Sequence, residues 1–241
     1  MRRPVVLATL LVFSFIAPSK TLAQDMEIDP TRVYEGSNNI LFELKPKITN
    51  PYSQFHYIKD EYNPGTILLF DSAKIENVPM RYDIMRNRME ILLKDETKVL
   101  YARKIINFDW FDSDLSRKAK FVNCREYAMT DLDIKGFFEV LVEGDFTLLS
   151  HTALKIFTNT SSVSVSGSHR SSNIFKKENF YLQIDNKVTP LPKKRKKILA
   201  LIPDQKEAII KYSRKRGLLF NRKKDLIEIF EYYNTLNKET S

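Results

Sequence analysis

From Asn63 onward the chain alternates apolar and polar residues in short runs broken by turn residues, the period-two pattern of half-buried strands. Thr66 to Phe70 is the first run, with Asp71-Ser72 as its turn. Lys74 to Asp83 follows, with Ile75, Met80 and Tyr82 on the buried side and Lys74, Glu76 and Arg81 outside; Pro79 marks an edge or a bulge, because proline cannot donate to a ladder. Met89, Ile91 and Leu93 then alternate with Arg88 and Glu90. Lys94-Asp95-Glu96 turns the chain into Val99 and Tyr101, and Ile106, Phe108 and Trp110 alternate with Asn107 and Asp109. Such short connections favour an antiparallel meander over a parallel sheet, which needs crossovers of a dozen residues or more.

A second strand group begins at Phe121-Val122. Phe138, Val140 and Val142 alternate with Glu139 and Glu143, read as an outward face, and Gly144-Asp145 turns into Phe146 to Ser150, with Leu154 to Phe157 extending the pairing. Residues 159–173 include seven Ser and read as a surface loop; Phe180, Leu182 and Ile184 form the last strand, turned by Asp185-Asn186-Lys187. After Pro192 the period becomes helical. Lys193 to Ile202 is stopped by Pro203, Asp204 and Glu207 form a capping box for a helix over Gln205 to Arg214, and Gly217 supplies a left-handed stop. Asn221 caps a third helix, on which Leu226, Phe230, Tyr233 and Leu236 share one face.

The front of the chain differs. Arg2 and Arg3, an apolar stretch from Pro4 to Ala17 and the small residue Ala23 predict a signal peptide over residues 1–23. As a helix, that stretch spans only ~21 Å, short of the ~30 Å hydrocarbon core. No later run reaches the length of a membrane helix, so the mature chain is expected to have none, and no Cys near Ala23 offers a lipid anchor. Residues 24–64, broken by Pro30, Pro46, Pro51 and Pro64, read as an extended lead-in packing through Tyr34, Phe42, Phe55 and Tyr57. The expected organisation is a β domain over 65–191 and a basic helical segment over 192–241 packing on it. The fold class is α+β: an antiparallel sandwich or open barrel with a small C-terminal helical cap.

Charge adds the strongest anomaly. The chain of 241 residues carries 39 Lys and Arg against 30 Asp and Glu; loss of Arg2, Arg3 and Lys20 with the signal peptide leaves 36 against 30, a net +6. Between Lys193 and Lys224, 13 basic residues face only Asp204 and Glu207. The segment is therefore +11 and the rest of the mature chain −5. Lys193, Lys194, Arg195, Lys196, Lys197, Arg214, Lys215, Arg216, Arg222, Lys223 and Lys224 are the candidate binding residues. Two readings stand: a solvated face, the common fate of a charge run, or a patch for an anionic lipid, lipopolysaccharide or glycan surface, beside any envelope protein partner. Export argues against nucleic acid. Five cations opening a helix at Lys193 to Lys197 would each be disfavoured by ~0.3 to 1 kcal/mol at its positive dipole end, a local cost that points to use.

Chemistry is sparse. Cys124 stands alone, so the chain forms no internal disulfide, and it reads as a buried hydrophobe before it reads as a nucleophile. His56, His151 and His169 show no metal spacing, and Val163-Ser164-Val165-Ser166-Gly167 lacks the leading Gly of a nucleophile elbow. Asp109, Asp112 and Asp114 lack the turn Gly and the distant Glu of a calcium loop. On one strand Glu139 and Glu143 stand ~13 Å apart, too far for a glycosidase pair. No cofactor is implied. The expectation is a non-enzymatic binding or accessory protein, with a secreted hydrolase using Cys124 or His151 as the alternative.

Gly65 to Leu69, Met80-Arg81-Tyr82-Asp83, Phe137 to Gly144 and Ile227 to Asn234 together resemble a family of uncharacterised exported bacterial envelope proteins. In these a Gly-led strand, a strand ending in Tyr-Asp, a phenylalanine-rich strand ending in Glu-Gly and a C-terminal helical pair ending in Tyr-Tyr-Asn follow in order. The resemblance covers most of residues 50–236. It implies a β-rich fold with a helical pair and a periplasmic or cell-surface location, and it implies no particular chemistry.

Overall fold

The computed structural model describes residues 33–35, 41–44, 56–93, 96–112, 116–129, 133–159, 171–185, 187–202 and 204–238. The predicted signal segment over 1–23, Phe55, Asp114, His169, the side chains of Tyr34 and Phe42, and residues 160–170 of the predicted Ser-rich loop lie outside the described residues. Thirteen strands form one sheet: β1 Val33–Glu35, β2 Leu41–Leu44, β3 Asn63–Leu69, β4 Lys74–Asp83, β5 Arg88–Leu93, β6 Glu96–Tyr101, β7 Ile105–Asp112, β8 Arg117–Asn123, β9 Ala128–Met129, β10 Phe137–Val142, β11 Thr147–Asn159, β12 Ser171–Ile184 and β13 Lys187–Pro190. Their order is β1-β2-β6-β5-β4-β3-β7-β8-β10-β11-β12-β13-β9. Every pairing is antiparallel except β13 with β9. Among the described residues three helices follow, α1 Arg195–Leu199, α2 Lys206–Arg216 and α3 Lys223–Lys238. The fold is the α+β meander with a helical cap, built as one open sheet, and β1 and β2 of the lead-in join it beside β6.

The sheet is coiled. β4 and β10 are four positions apart in the order, which on a flat sheet is ~19 Å. Yet the rings of Tyr82 and Phe137 meet edge to face with centroids 5.1 Å apart. Inside the coil, Phe108 stacks on Phe121 at 4.6 Å and touches Trp110 at 5.1 Å and Phe137 at 4.9 Å, with Ile67, Met80, Met89 and Ile91 fully buried around them. Gly65 lies where β3 crosses this core: a Cβ there would stand 2.1 Å from the Asp109 carbonyl oxygen, so only glycine lets β3 and β7 approach.

Pro79 does not lie at a sheet edge, since β4 sits between β3 and β5. It pairs with Pro64 across β3, and the β4–β5 ladder ends at Met80, so the missing N–H faces no acceptor in β5. The bulge is two residues earlier, where β4 spends one residue more than β3 and Asn77 takes φ 50°. A second irregularity between β3 and β7 brings Ile105 into the core, with Ile106 only half-buried.

The expectation that Arg88 and Glu90 face outward fails. Residues 56–62 lie across that side of β4 and β5: Tyr57 bridges Asp83, and Ile58 N–H donates to the Tyr82 carbonyl at 3.1 Å. Asp83 and Glu90 are wholly buried beneath this segment. Glu90 accepts from Tyr57 at 3.0 Å and from Arg81 at 3.0 Å, and Arg88 reaches Glu90 at 3.4 Å and Asp83 at 3.5 Å. Arg86 donates to Asp83 at 3.1 Å and stands 3.3 Å from His56 Nδ1. Burial lowers the His56 pKa and Arg86 adds to this, against Asp83 which raises it; the ring is neutral with Nδ1 as acceptor.

The cap packs where the inner face of the coil passes onto β10 to β12. Leu226, Ile229, Phe230 and Tyr233 of α3 and Ile209 of α2 bury against Leu141, Leu148 and Leu182, while Ile198, Leu199 and Ile202 close the side. Phe138, Val140, Leu149, Tyr181 and Cys124 form a further core on the opposite face, so all six residues of β10 are buried. The helix ends differ from expectation. α1 covers only five residues, and α2 starts at Lys206 after Gln205, which places Ala208 where a capping box needs Glu or Gln. Arg222, not Asn221, precedes α3, and the Asp225 carboxylate accepts the Leu219 N–H at 2.8 Å. Gly217 does stop α2, at φ 67°, with Leu218 N–H bonded to the Ser213 carbonyl at 2.9 Å.

Candidate anionic-surface site

β13 ends at Pro190. Leu191 N–H makes one more bond to the Phe180 carbonyl at 2.9 Å, and Pro192 then turns the chain away from β12. Between this departing segment, residues Lys177 to Tyr181 of β12 and the α2–α3 turn lies a groove of about 500 Å³. Phe180, Leu191, Phe220 and Leu226 give it apolar walls, and Lys177 and Lys193 stand at its sides. A neighbouring hollow of about 290 Å³ shares Lys193 and Phe220 and adds Arg195 and Leu219. The Arg195 guanidinium lies 5.1 Å from the centre of the Phe220 ring. Leu219 is 44% exposed.

Of the cations predicted from sequence, Lys193 and Arg195 line these hollows. Lys193, Lys194, Arg195, Lys196 and Lys197 are all exposed, as are Arg214, Lys215, Arg216, Arg222 and Lys224. Arg214, Lys215 and Arg216 occupy the last turn of α2, where the helix dipole favours positive charge. Because α1 is so short, and Lys193 and Lys194 precede it, the dipole cost expected for the first five cations largely disappears. Arg216 pairs with Glu228. Among the described residues, Lys193, Lys194, Arg195, Lys196, Lys197, Arg214, Lys215, Arg222 and Lys224 have no carboxylate within 4.0 Å.

Lys223 stands apart. Its ammonium is turned inward, 2.7 Å from Glu139 and 2.8 Å from Glu178. Burial lowers its pKa, and Glu139 and Glu178 more than offset this, so the net shift is upward and the charge is held. Glu139, read from the sequence as outward, is buried under α3, where it also meets Ser150 at 3.3 Å and Arg117 at 3.5 Å. An alternating strand was read as having a wet face; the helical cap makes that face an interior. Glu143 remains exposed and pairs with Lys120 at 2.6 Å.

The catalytic candidates do not converge. Cys124 has no exposed surface, and burial pushes its thiol up to about 12. His151 donates from Nε2 to the Lys135 carbonyl at 2.9 Å and packs on Phe138, and burial lowers its pKa against that bond. Asp109 pairs with Lys118 at 2.9 Å and Asp112 with Lys59 at 3.5 Å. Among the described residues no three His, Cys, Asp or Glu side chains gather as a metal site. A thiol probe should therefore label native Cys124 only as fast as the chain unfolds. Labelling rates rising with urea in step with unfolding check this; fast labelling without denaturant contradicts it.

No helix among the described residues is long and apolar enough to cross a membrane. Comparison with family models, with curated proteins and with solved structures returns no match.

Proposed function

We propose that this is an exported, non-enzymatic binding or accessory protein of the bacterial envelope that docks on an anionic surface through its C-terminal helical segment. The observation that carries the reading is the set of nine exposed cations without carboxylate partners among the described residues, all on one C-terminal segment, of which Lys193 lines an apolar groove. A face kept only for solubility gains from interspersed charges of both signs, whereas single-sign fields suit steering towards an opposite surface. Arg2, Arg3 and the apolar stretch to Ala17 support export, and the resemblance of Gly65 to Leu69, Met80 to Asp83, Phe137 to Gly144 and Ile227 to Asn234 supports the envelope. The buried thiol of Cys124 supports a binding role over thiol hydrolysis.

The surface we name is a bilayer with anionic phospholipid headgroups. Each Lys or Arg near such a surface contributes ~1 kcal/mol at moderate salt. Changing Lys193, Lys194, Arg195, Lys196 and Lys197 together to Gln should therefore weaken co-sedimentation with phosphatidylglycerol vesicles by at least ~100-fold at low salt. Binding should fall with added salt and be absent on phosphatidylcholine alone. Equal sedimentation of the two proteins returns the run to a solvated face; binding to lipopolysaccharide but not to vesicles moves the surface to a glycolipid.

A further inference from the structure

β11 and β12 outgrow the sheet. β10 pairs β11 only as far as Ser150, and β13 pairs β12 only from Tyr181 onward. The register from His151↔Asn179 to Asn159↔Ser171 is thus a two-stranded arm, ~30 Å long at ~3.3 Å per residue. The sequence reading of 159–173 as a loop, with the last strand starting at Phe180, is corrected at both ends: β11 reaches Asn159, and β12 starts at Ser171 and is paired throughout Ser171 to Asn179.

The two faces of this arm differ. Lys176 and Glu178 share one face, and the Lys176 ammonium reaches the Ile58 carbonyl at 3.2 Å. The other carries His151, Ala153, Lys155 and Phe157 on β11 and Phe175, Lys177 and Asn179 on β12, with no acidic residue. Phe157 and Phe175 stack there with centroids 5.1 Å apart and planes 10° apart, yet they are 57% and 41% exposed. Lys155 lies directly across from Phe175, and Lys177 is two residues along on the same face, so both cations stand on the sheet-proximal side of the aromatic pair. Lys177 also lines the groove with Lys193. The cap itself packs on the other face of β12, where Lys223 meets Glu178, so the aromatic pair and the basic segment approach each other at this edge of the arm.

We infer that the Phe157–Phe175 pair is a membrane-inserting patch on one face of the arm, which enters the interfacial layer of an anionic bilayer while Lys155 and Lys177 meet its phosphates. The inference rests on the bilayer-docking function proposed above. The occupant follows from the chemistry: two apolar rings left to water on an arm face whose charges, among the described residues, are all positive, with Lys177 beside Lys193 at its edge. Aromatic rings and lysines in this arrangement suit the headgroup boundary, where the rings leave water and the ammonium groups do not.

Two variants test it on the full chain. Phe157→Trp places an indole in the patch, against a background from Trp110, which is buried. On phosphatidylglycerol vesicles its emission should shift to the blue and be quenched by lipids brominated near the headgroup. Phe157→Thr with Phe175→Thr keeps β-branched residues in the arm and removes the rings. This double variant should bind the same vesicles at least ~10-fold more weakly, with unchanged thermal unfolding. An unshifted indole, together with full binding by the double variant, overturns the inserting patch while the basic surface stands. No binding of the wild-type chain to anionic vesicles overturns both.

Discussion

Replacing Glu90 with alanine is expected to destabilise the fold by ~3 to 5 kcal/mol, because it strands buried positive charge. The Glu90 side chain has no exposed surface, and its two oxygens take the Tyr57 hydroxyl, Arg81 and Arg88. Arg81 keeps other contacts, including the Asp60 carbonyl at 2.9 Å and the face of the Tyr57 ring at 3.9 Å. Arg88 is the residue left exposed to the loss: Asp83 would remain as its carboxylate at 3.5 Å, and its Nε already has no hydrogen bond. Burial raises the Tyr57 pKa and Glu90 adds to this, so the phenol stays protonated and serves as donor. Removal of Glu90 should therefore also loosen residues 56–62 from β4 and β5. Urea unfolding of Glu90→Ala beside wild type measures the loss, and hydrogen exchange at the Ile58 amide reports the loosening. A loss below ~1 kcal/mol with normal protection at Ile58 contradicts the clamp. Changing Glu90 to Leu and Arg88 to Met together should recover much of the loss, since well-packed apolar groups often replace a buried ion pair at little cost.

The same cluster marks where sequence reading stops. Met80, Tyr82, Met89, Ile91, Phe108 and Trp110 were legible as core because period-two alternation reports one buried face. Alternation cannot report whether the other face is covered, for a charged residue under a lid and one in water have the same spacing. Arg88, Glu90 and Glu139 all went wrong on that point, the first two under residues 56–62 and the third under α3. Lys223 failed for the complementary reason: within a basic run, one member whose partners stand 84 and 45 positions earlier looks like its neighbours. Helix existence and the Gly217 stop were readable from apolar spacing and backbone preference, whereas Asp204 and Asn221 were plausible caps that the actual starts of α2 and α3 pass by. The arm was half visible in Leu154 to Phe157. Its return strand was hidden by Ser171 and Ser172, residues that favour turns but tolerate a ladder when the partner strand continues.

Phe108→Ala should cost ~3 to 5 kcal/mol, the range for removing a fully buried aromatic ring from a core. Phe108 has no exposed surface and is the hub of the coil: Tyr82, Trp110, Phe121 and Phe137 all lie against it. Those rings come from β4, β7, β8 and β10, so no single strand can shift to fill the space without disturbing the other ladders. Phe111→Ala on the same strand, where the ring is 54% exposed, should stay within ~0.5 kcal/mol and serves as the control. Trp110 reports the change directly, since it packs 5.1 Å from the Phe108 ring. The cap is held by a different cluster, Leu141, Leu148 and Leu182 against α2 and α3. Below its lowered melting temperature, Phe108→Ala should therefore bind anionic vesicles as tightly as wild type, whereas the five-residue Gln variant should unfold normally and bind poorly. Stability and docking would then separate onto two parts of one sheet. If Phe108→Ala lost binding while still folded, the coil and the cap would be coupled through β10, one face of which carries Phe137 in the coil and Leu141 under the cap.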